Sequence, residues 1–148
     1  MTVAVLLANA GATLFMTGVI WFVQVVHYPL FEGVGVEGFA RYEARHSSLT
    51  TFVVIVPMFL ELITAGLLVW QRPASLSLWE VWVGLGLVGL IWFSTAFLQV
   101  PQHTLLGAGF DAGAHETLVN TNWLRTAAWT LRSGLVLWWL GRLLAAGL

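Results

Sequence analysis

Apolar residues gather into four long runs, each closed by a short polar or proline-marked break. The first run covers about Val3 to Val26, and no charged side chain precedes Glu32. No basic stretch opens it and no small-residue cleavage site closes it, so it reads as a retained helix rather than a signal peptide. His27-Tyr28-Pro29 ends it, because the residue before proline is pushed out of helical geometry. A polar connection from Leu30 to about His46 comes next, loosened by Gly33, Gly35 and Gly38. Within it, Phe39, Tyr42 and His46 share a helical face, which predicts a short interfacial helix running straight into the second span. That second span covers about Ser47 to Trp70, with Glu61 as its single charge and Pro57 as a kink site. The third covers about Trp79 to Val100 and ends at Pro101; Gly84, Gly86 and Gly89 in its first half allow close helix packing. A Gly- and Ala-rich loop leads to the fourth, about Thr117 to Leu140, which carries Arg125 and Arg132.

Each run matches the roughly 20 apolar residues that one membrane-spanning helix needs. The expected fold is therefore an all-α integral membrane domain over residues 1–148, with four transmembrane helices in an antiparallel bundle. Composition agrees: 59% of the 148 residues are hydrophobic and only 9% charged, against about 25% charged in soluble domains. Net charge is −1, which leaves no basic surface for nucleic acid. Cysteine is absent, excluding disulfides and Fe–S clusters, and lysine is absent too, excluding a Schiff base.

Aromatic residues are expected at both headgroup levels: Trp70, Trp79, Trp82, Trp138 and Trp139 at one, Trp21, Tyr28, Tyr42 and Trp123 at the other. The arginines divide evenly between the two sides, so the positive-inside rule assigns no orientation. The expected location is the bacterial inner membrane.

Four spans bring the end of the first, the start of the second, the end of the third and the start of the fourth to one face. His27, His46, His103 and Asn122 meet there, with His115 in the nearby loop. Each helix also carries a polar stripe at helical spacing: Gln24 and His27; His46, Thr50, Pro57 and Glu61; Thr95, Gln99 and His103; Asn122, Arg125, Trp129 and Arg132. Lipid cannot satisfy such groups, so all four stripes are expected to face inward. At about 1.5 Å rise per residue, Glu61 lies about 20 Å below His46, and Arg132 about 15 Å below Asn122. An unpaired charge at that depth costs at least about 2.5–3.5 kcal/mol. A Glu61–Arg132 ion pair is the simplest resolution, with Arg125 the other candidate partner. The pair either fixes helix register or serves substrate binding or proton relay.

Imidazole is the commonest metal ligand, so His27, His46 and His103 form a candidate site for iron, copper or haem. This reading takes the cluster to lack the Glu-x-x-His pair of di-iron bundles. The alternative for each histidine is a bond to a loop carbonyl. His115, with Asp111 and Glu116, reads as solvated loop, and Trp92 and Trp129 either line a pocket or face lipid.

The strings Val26-His27-Tyr28-Pro29, Phe39-Ala40-Arg41-Tyr42, Val100-Pro101-Gln102-His103-Thr104-Leu105-Leu106 and Asn122-Trp123-Leu124-Arg125-Thr126 succeed one another across the four spans. In this the chain resembles the small four-helix membrane proteins of the DUF1772, or anthrone-oxygenase-like, group, above all bacterial members of no assigned activity. Some members of that group oxidise polycyclic anthrones to quinones with dioxygen. The matching positions are His27, Pro29, Tyr42, Pro101, His103 and Arg125. Gln102-His103 departs from the Asn often found after the third-span proline, and adds a ligand.

Three functions are consistent with these features. The first is an oxidoreductase-like enzyme acting on a lipophilic quinone-like or phenolic molecule. In it His27, His103 and Arg125 are catalytic, the histidines as bases or ligands and the arginine as oxyanion partner. Gln24, Tyr42, Glu61, Gln99, Asn122, Trp129 and Arg132 would line the substrate site. The second is a small proton-coupled transporter built on Glu61 and Arg132. The third is an accessory subunit, working as a homo-oligomer or within a larger membrane complex.

Overall fold

The computed structural model describes residues 2–147, and among them it is all-α. Four long helices make a bundle: α1, Thr2–His27; α2, Val36–Gln71; α3, Leu78–Gly107; and α4, Ala112–Ala145. A short 3₁₀ segment, Pro29–Val34, joins α1 to α2. The start signals are local. Ser77 and Glu80 form a capping box at the head of α3, and the Asp111 carboxylate accepts from the Ala114 N–H at 2.7 Å at the head of α4.

Neighbouring helices run antiparallel. Asn9 meets Thr64 while His27 meets His46, so α1 and α2 read in opposite directions. Glu80 meets Arg142 while Gln99 meets Thr121, which sets α3 against α4 in the same way. α1 packs on α2 and α4, and α3 packs on the same two helices, so α1 and α3 lie diagonally opposite.

The pattern of burial is inverted relative to a soluble protein. Phe52 is 80% exposed and Trp70 79%, while Asn9, Asn122 and Arg132 are at 0%. α1, α2 and α3 are long and apolar enough to cross a membrane. α4 is 34 residues long and carries His115, Glu116, Arg125, Arg132 and Arg142.

Several expectations need correction. Pro101 does not end the third helix. The five-residue π turn Thr95–Gln99 precedes it, and the chain continues helical through Gly107. Pro101 sits near the start of the continuing stretch, where its missing N–H costs least. A second π turn, Val23–His27, ends α1, closed by the Tyr28 N–H on the Val23 carbonyl at 2.9 Å. The Phe39–His46 stretch is the first part of α2, not a separate helix. Trp139 and Tyr28 leave the expected aromatic belts for the interior, at 1% and 3% exposure. Of Gly84, Gly86 and Gly89 only Gly84 is crowded. A β-carbon there would meet Trp139 at 2.8 Å, whereas Gly86 and Gly89 have open space.

Candidate functional site

Two polar layers cross the bundle, with Trp129 between them. The deeper layer joins the diagonal pair α2 and α4. Arg132 donates through Nε to Glu61 Oε1 at 2.8 Å, through Nη2 to Asn9 Oδ1 at 2.8 Å, and through Nη1 to the Gly84 carbonyl. Glu61 also accepts from Thr13 at 2.7 Å and from the Trp129 indole N–H at 2.9 Å. The ion pair expected from the sequence is thus present, with Arg132 rather than Arg125.

The outer layer holds the histidines. α1 presents His27 from its closing π turn, with Tyr28 immediately after it, α2 presents Glu43 and His46 one turn apart, and α3 presents His103 two residues after Pro101. His103 Nδ1 lies 2.6 Å from Glu43 Oε1, and His103 Nε2 lies 2.9 Å from the Tyr28 hydroxyl. A carboxylate only accepts, so Nδ1 carries the proton and, in the neutral ring, Nε2 accepts from Tyr28. Burial pushes the Tyr28 hydroxyl above its ordinary pKa, although the neighbouring Arg125 opposes this. Tyr28 therefore stays protonated and able to donate. His27 Nε2 is 2.8 Å from His46 Nδ1, which also faces the Thr50 hydroxyl at 3.2 Å.

A cavity of about 410 Å³ lies between the two layers. Tyr28, His46 and His103 border it at one end and Trp129 at the other. Thr95, Gln99 and Arg125 supply a polar flank, and Met16, Ile20, Val54 and Met58 supply apolar walls. Arg125 is held by Asn122 Oδ1 at 2.9 Å and Thr95 Oγ1 at 3.2 Å. Its guanidinium carbon lies 5.8 Å from the Trp129 ring centre. The cavity lining thus combines one cation, the Tyr28 hydroxyl and two imidazoles with apolar side chains, an arrangement that can take a proton and steady an oxyanion.

The residues expected to line a substrate site divide. Gln99, Trp129, Arg125, His46 and His103 border the cavity. Gln24 and Asn122 do not: Gln24 Oε1 accepts from Asn122 Nδ2 at 2.8 Å, and Asn122 in turn orients Arg125. Glu61 and Arg132 stand apart from it, in the deeper layer. Tyr42 borders a separate surface hollow of about 380 Å³ with His27, Arg45 and His46. His27 faces that hollow and an outer groove between α1 and α2.

His115 is not solvated loop. It is buried, donates through Nε2 to the Tyr28 carbonyl at 2.8 Å, and stacks on Phe31. It thereby fixes the turn that presents Tyr28.

The histidine set also needs revision. The cluster whose donor atoms lie within 4.8 Å of one another is Glu43, His46 and His103. His27 is not in that group, and its Nε2 is hydrogen-bonded to His46 Nδ1 at 2.8 Å. Glu43 and Tyr28 are the site residues that the polar stripes missed. Glu43-Ala44-Arg45-His46 is in fact a Glu-x-x-His pair, contrary to the sequence expectation. Its i, i+3 spacing was the legible signal, one turn above the stripe that begins at His46.

Comparison of the chain with family models, curated proteins and solved structures gives no match.

Proposed function

We propose that this protein is a four-span bacterial inner-membrane protein that binds a lipophilic phenol or quinone inside the bundle and acts on it in an oxidoreductase-like way. The observation that carries this reading is the cavity, which pairs apolar walls with Tyr28, His46, His103 and Arg125. Ligand pockets commonly combine an apolar lining with a few convergent polar groups.

α4 counts as the fourth span because its outward face is apolar. Leu131 is 64% exposed and Trp138 60%, while Arg132 points inward. The start of α2, from Phe39 to His46, lies at the headgroup level in this reading. The outer groove between α1 and α2 shares Val19, Val23, Thr50 and Val54 with the cavity, so a thin apolar wall separates the site from surrounding lipid.

In this reading a phenolic hydroxyl, or the oxygen of a quinone undergoing reduction, sits between Tyr28 and Arg125. The Tyr28 hydroxyl relays the proton to or from His103 Nε2, His103 is backed by Glu43, and Arg125 balances charge on the oxygen. The two electrons of the quinone–hydroquinone change are exchanged with a second substrate, dioxygen as acceptor in the oxidising direction or a reduced organic cofactor as donor in the other. A proton-coupled carrier is less well supported. Its coupling carboxylate would be Glu61, which is saturated by Thr13, Trp129 and Arg132.

Binding of a short-chain ubiquinone or naphthoquinone, read from quenching of tryptophan fluorescence in detergent, tests the proposal. Arg125→Met should weaken binding by about 10- to 100-fold, the worth of a charged hydrogen bond of about 1.5–3 kcal/mol. Val54→Phe, which narrows the cavity, should weaken it as well. Unchanged affinity in both variants, or no binding by the wild-type protein, overturns the reading.

A further inference from the structure

We propose that Glu43, His46 and His103 bind a single divalent transition-metal ion at the outer end of the cavity. Two imidazoles and one carboxylate are a recurrent donor set for Fe²⁺ and Zn²⁺ sites that keep open positions for a substrate. Here they come from two helices, α2 and α3, with one donor atom of each residue within 4.8 Å of the other two. Glu43 and His46 stand at i, i+3, the Glu-x-x-His spacing by which bundle metal sites take two ligands from one helix.

A second, independent observation points the same way. Glu43 is 1% exposed, and its Oε2 is buried without any hydrogen-bond partner among the described residues. A buried carboxylate oxygen left unpaired costs free energy that a cation would recover. His46 is held through Nδ1, by His27 and Thr50, which leaves its Nε2 for a ligand. With Nε2 free to ligate, Nδ1 carries the proton and donates to His27 Nε2, the kind of outer support that orients a ligating imidazole. His103 has both nitrogens engaged, with Glu43 and with Tyr28. An ion bound between His103 Nδ1 and Glu43 therefore replaces the bond joining them and displaces the proton that Nδ1 holds against the carboxylate. His46 and His103 both border the cavity, so open coordination positions would face it. This inference goes beyond the lipophilic-ligand proposal and does not depend on it.

Cobalt(II) is the probe, titrated into the full chain in detergent after stripping with a chelator. One equivalent per chain should bind, with a visible d–d band and release of protons to the buffer. Glu43→Gln and His46→Gln should each lose the band. His27→Gln should keep it with affinity about 10- to 100-fold weaker, the usual effect of removing an outer-shell partner. Circular dichroism shows whether each variant is folded. If neither ligand variant folds, X-ray absorption at the cobalt edge of the wild-type protein decides, and two imidazole ligands are expected. Absence of stoichiometric binding, folded Glu43→Gln and His46→Gln proteins that bind as wild type does, or a bound ion without imidazole ligands overturns the proposal. Quinone binding is measured on the stripped protein, so its failure reads separately. Competition of zinc and of anaerobic iron(II) against cobalt then ranks the two natural candidates.

Discussion

Arg132 directs its Nε and both terminal nitrogens at protein acceptors and shows 0% exposure. Its partner Glu61 is equally enclosed, at 1%. Removing one member of such a pair leaves the other charge buried and uncompensated, which costs about 3–5 kcal/mol. Arg132→Met should destabilise the protein by that amount, read from unfolding in mixed micelles. The double variant Glu61→Gln, Arg132→Met should recover much of the loss, because no lone charge remains. A double variant as unstable as the single one would mean that the surrounding hydrogen bonds, not the charges, set the cost. The pairing itself was readable from two deep charges of opposite sign in an apolar chain. Glu43 was not, because its residue type and its polar neighbours Arg41 and Arg45 also suit a solvated helix start. Only the approach of His103 from α3 distinguishes it.

At the scale of the helix, small departures from regular geometry aim the side chains. The π turns in α1 and α3 each add a residue to one turn and so rotate the side chains beyond it. His27 closes the first of them, and Gln99 closes the second, one turn before His103. Periodicity assumes a regular repeat, so it carried the stripes to the correct ends of the helices and then misjudged Pro101. Gly84 marks a close contact between α3 and α4. An added β-carbon would lie 2.8 Å from Trp139 and 3.3 Å from Arg132 Nη1, the atom bonded to the Gly84 carbonyl. Gly84→Ala should therefore cost about 1–3 kcal/mol, the usual penalty for overpacking a core. Gly86→Ala, with open space around it, should stay within about 0.5 kcal/mol of wild type or gain from helix propensity. Equal effects at the two positions in thermal unfolding would contradict the packing described for α3 and α4.

Three helices are long and apolar enough to cross a membrane, and if α4 crosses as well, as proposed above, both chain ends lie on one side of the bilayer. The absence of cysteine makes this directly testable. Single cysteines at Gly33 and Ala108, in the connections before α2 and α4, should react with a membrane-impermeant maleimide from the same side. Ala74→Cys, between α2 and α3, and Ala146→Cys, after α4, should react from the other. Labelling of Ala108→Cys and Ala146→Cys from one side would mean that α4 does not cross. The same experiment supplies the orientation, which Arg41 and Arg45 on one face and Arg72 and Arg142 on the other leave open.

Hydropathy by itself determined the number, order and approximate limits of the helices, because an apolar run of membrane length has one stable form in lipid. It also determined that the polar residues turn inward, and that the histidines gather at one end. Tertiary structure alone decided the rest. Which nitrogen meets which oxygen depends on helix rotation and on single added residues at π turns, and no hydrophobic pattern records either. The exchange of His27 for Glu43 in the cluster, the burial of His115 behind Tyr28, and the placing of Trp129 between an ion pair and a cavity are all of this kind. They arise from contacts between residues distant in the chain, where a shift of an ångström separates a hydrogen bond from none.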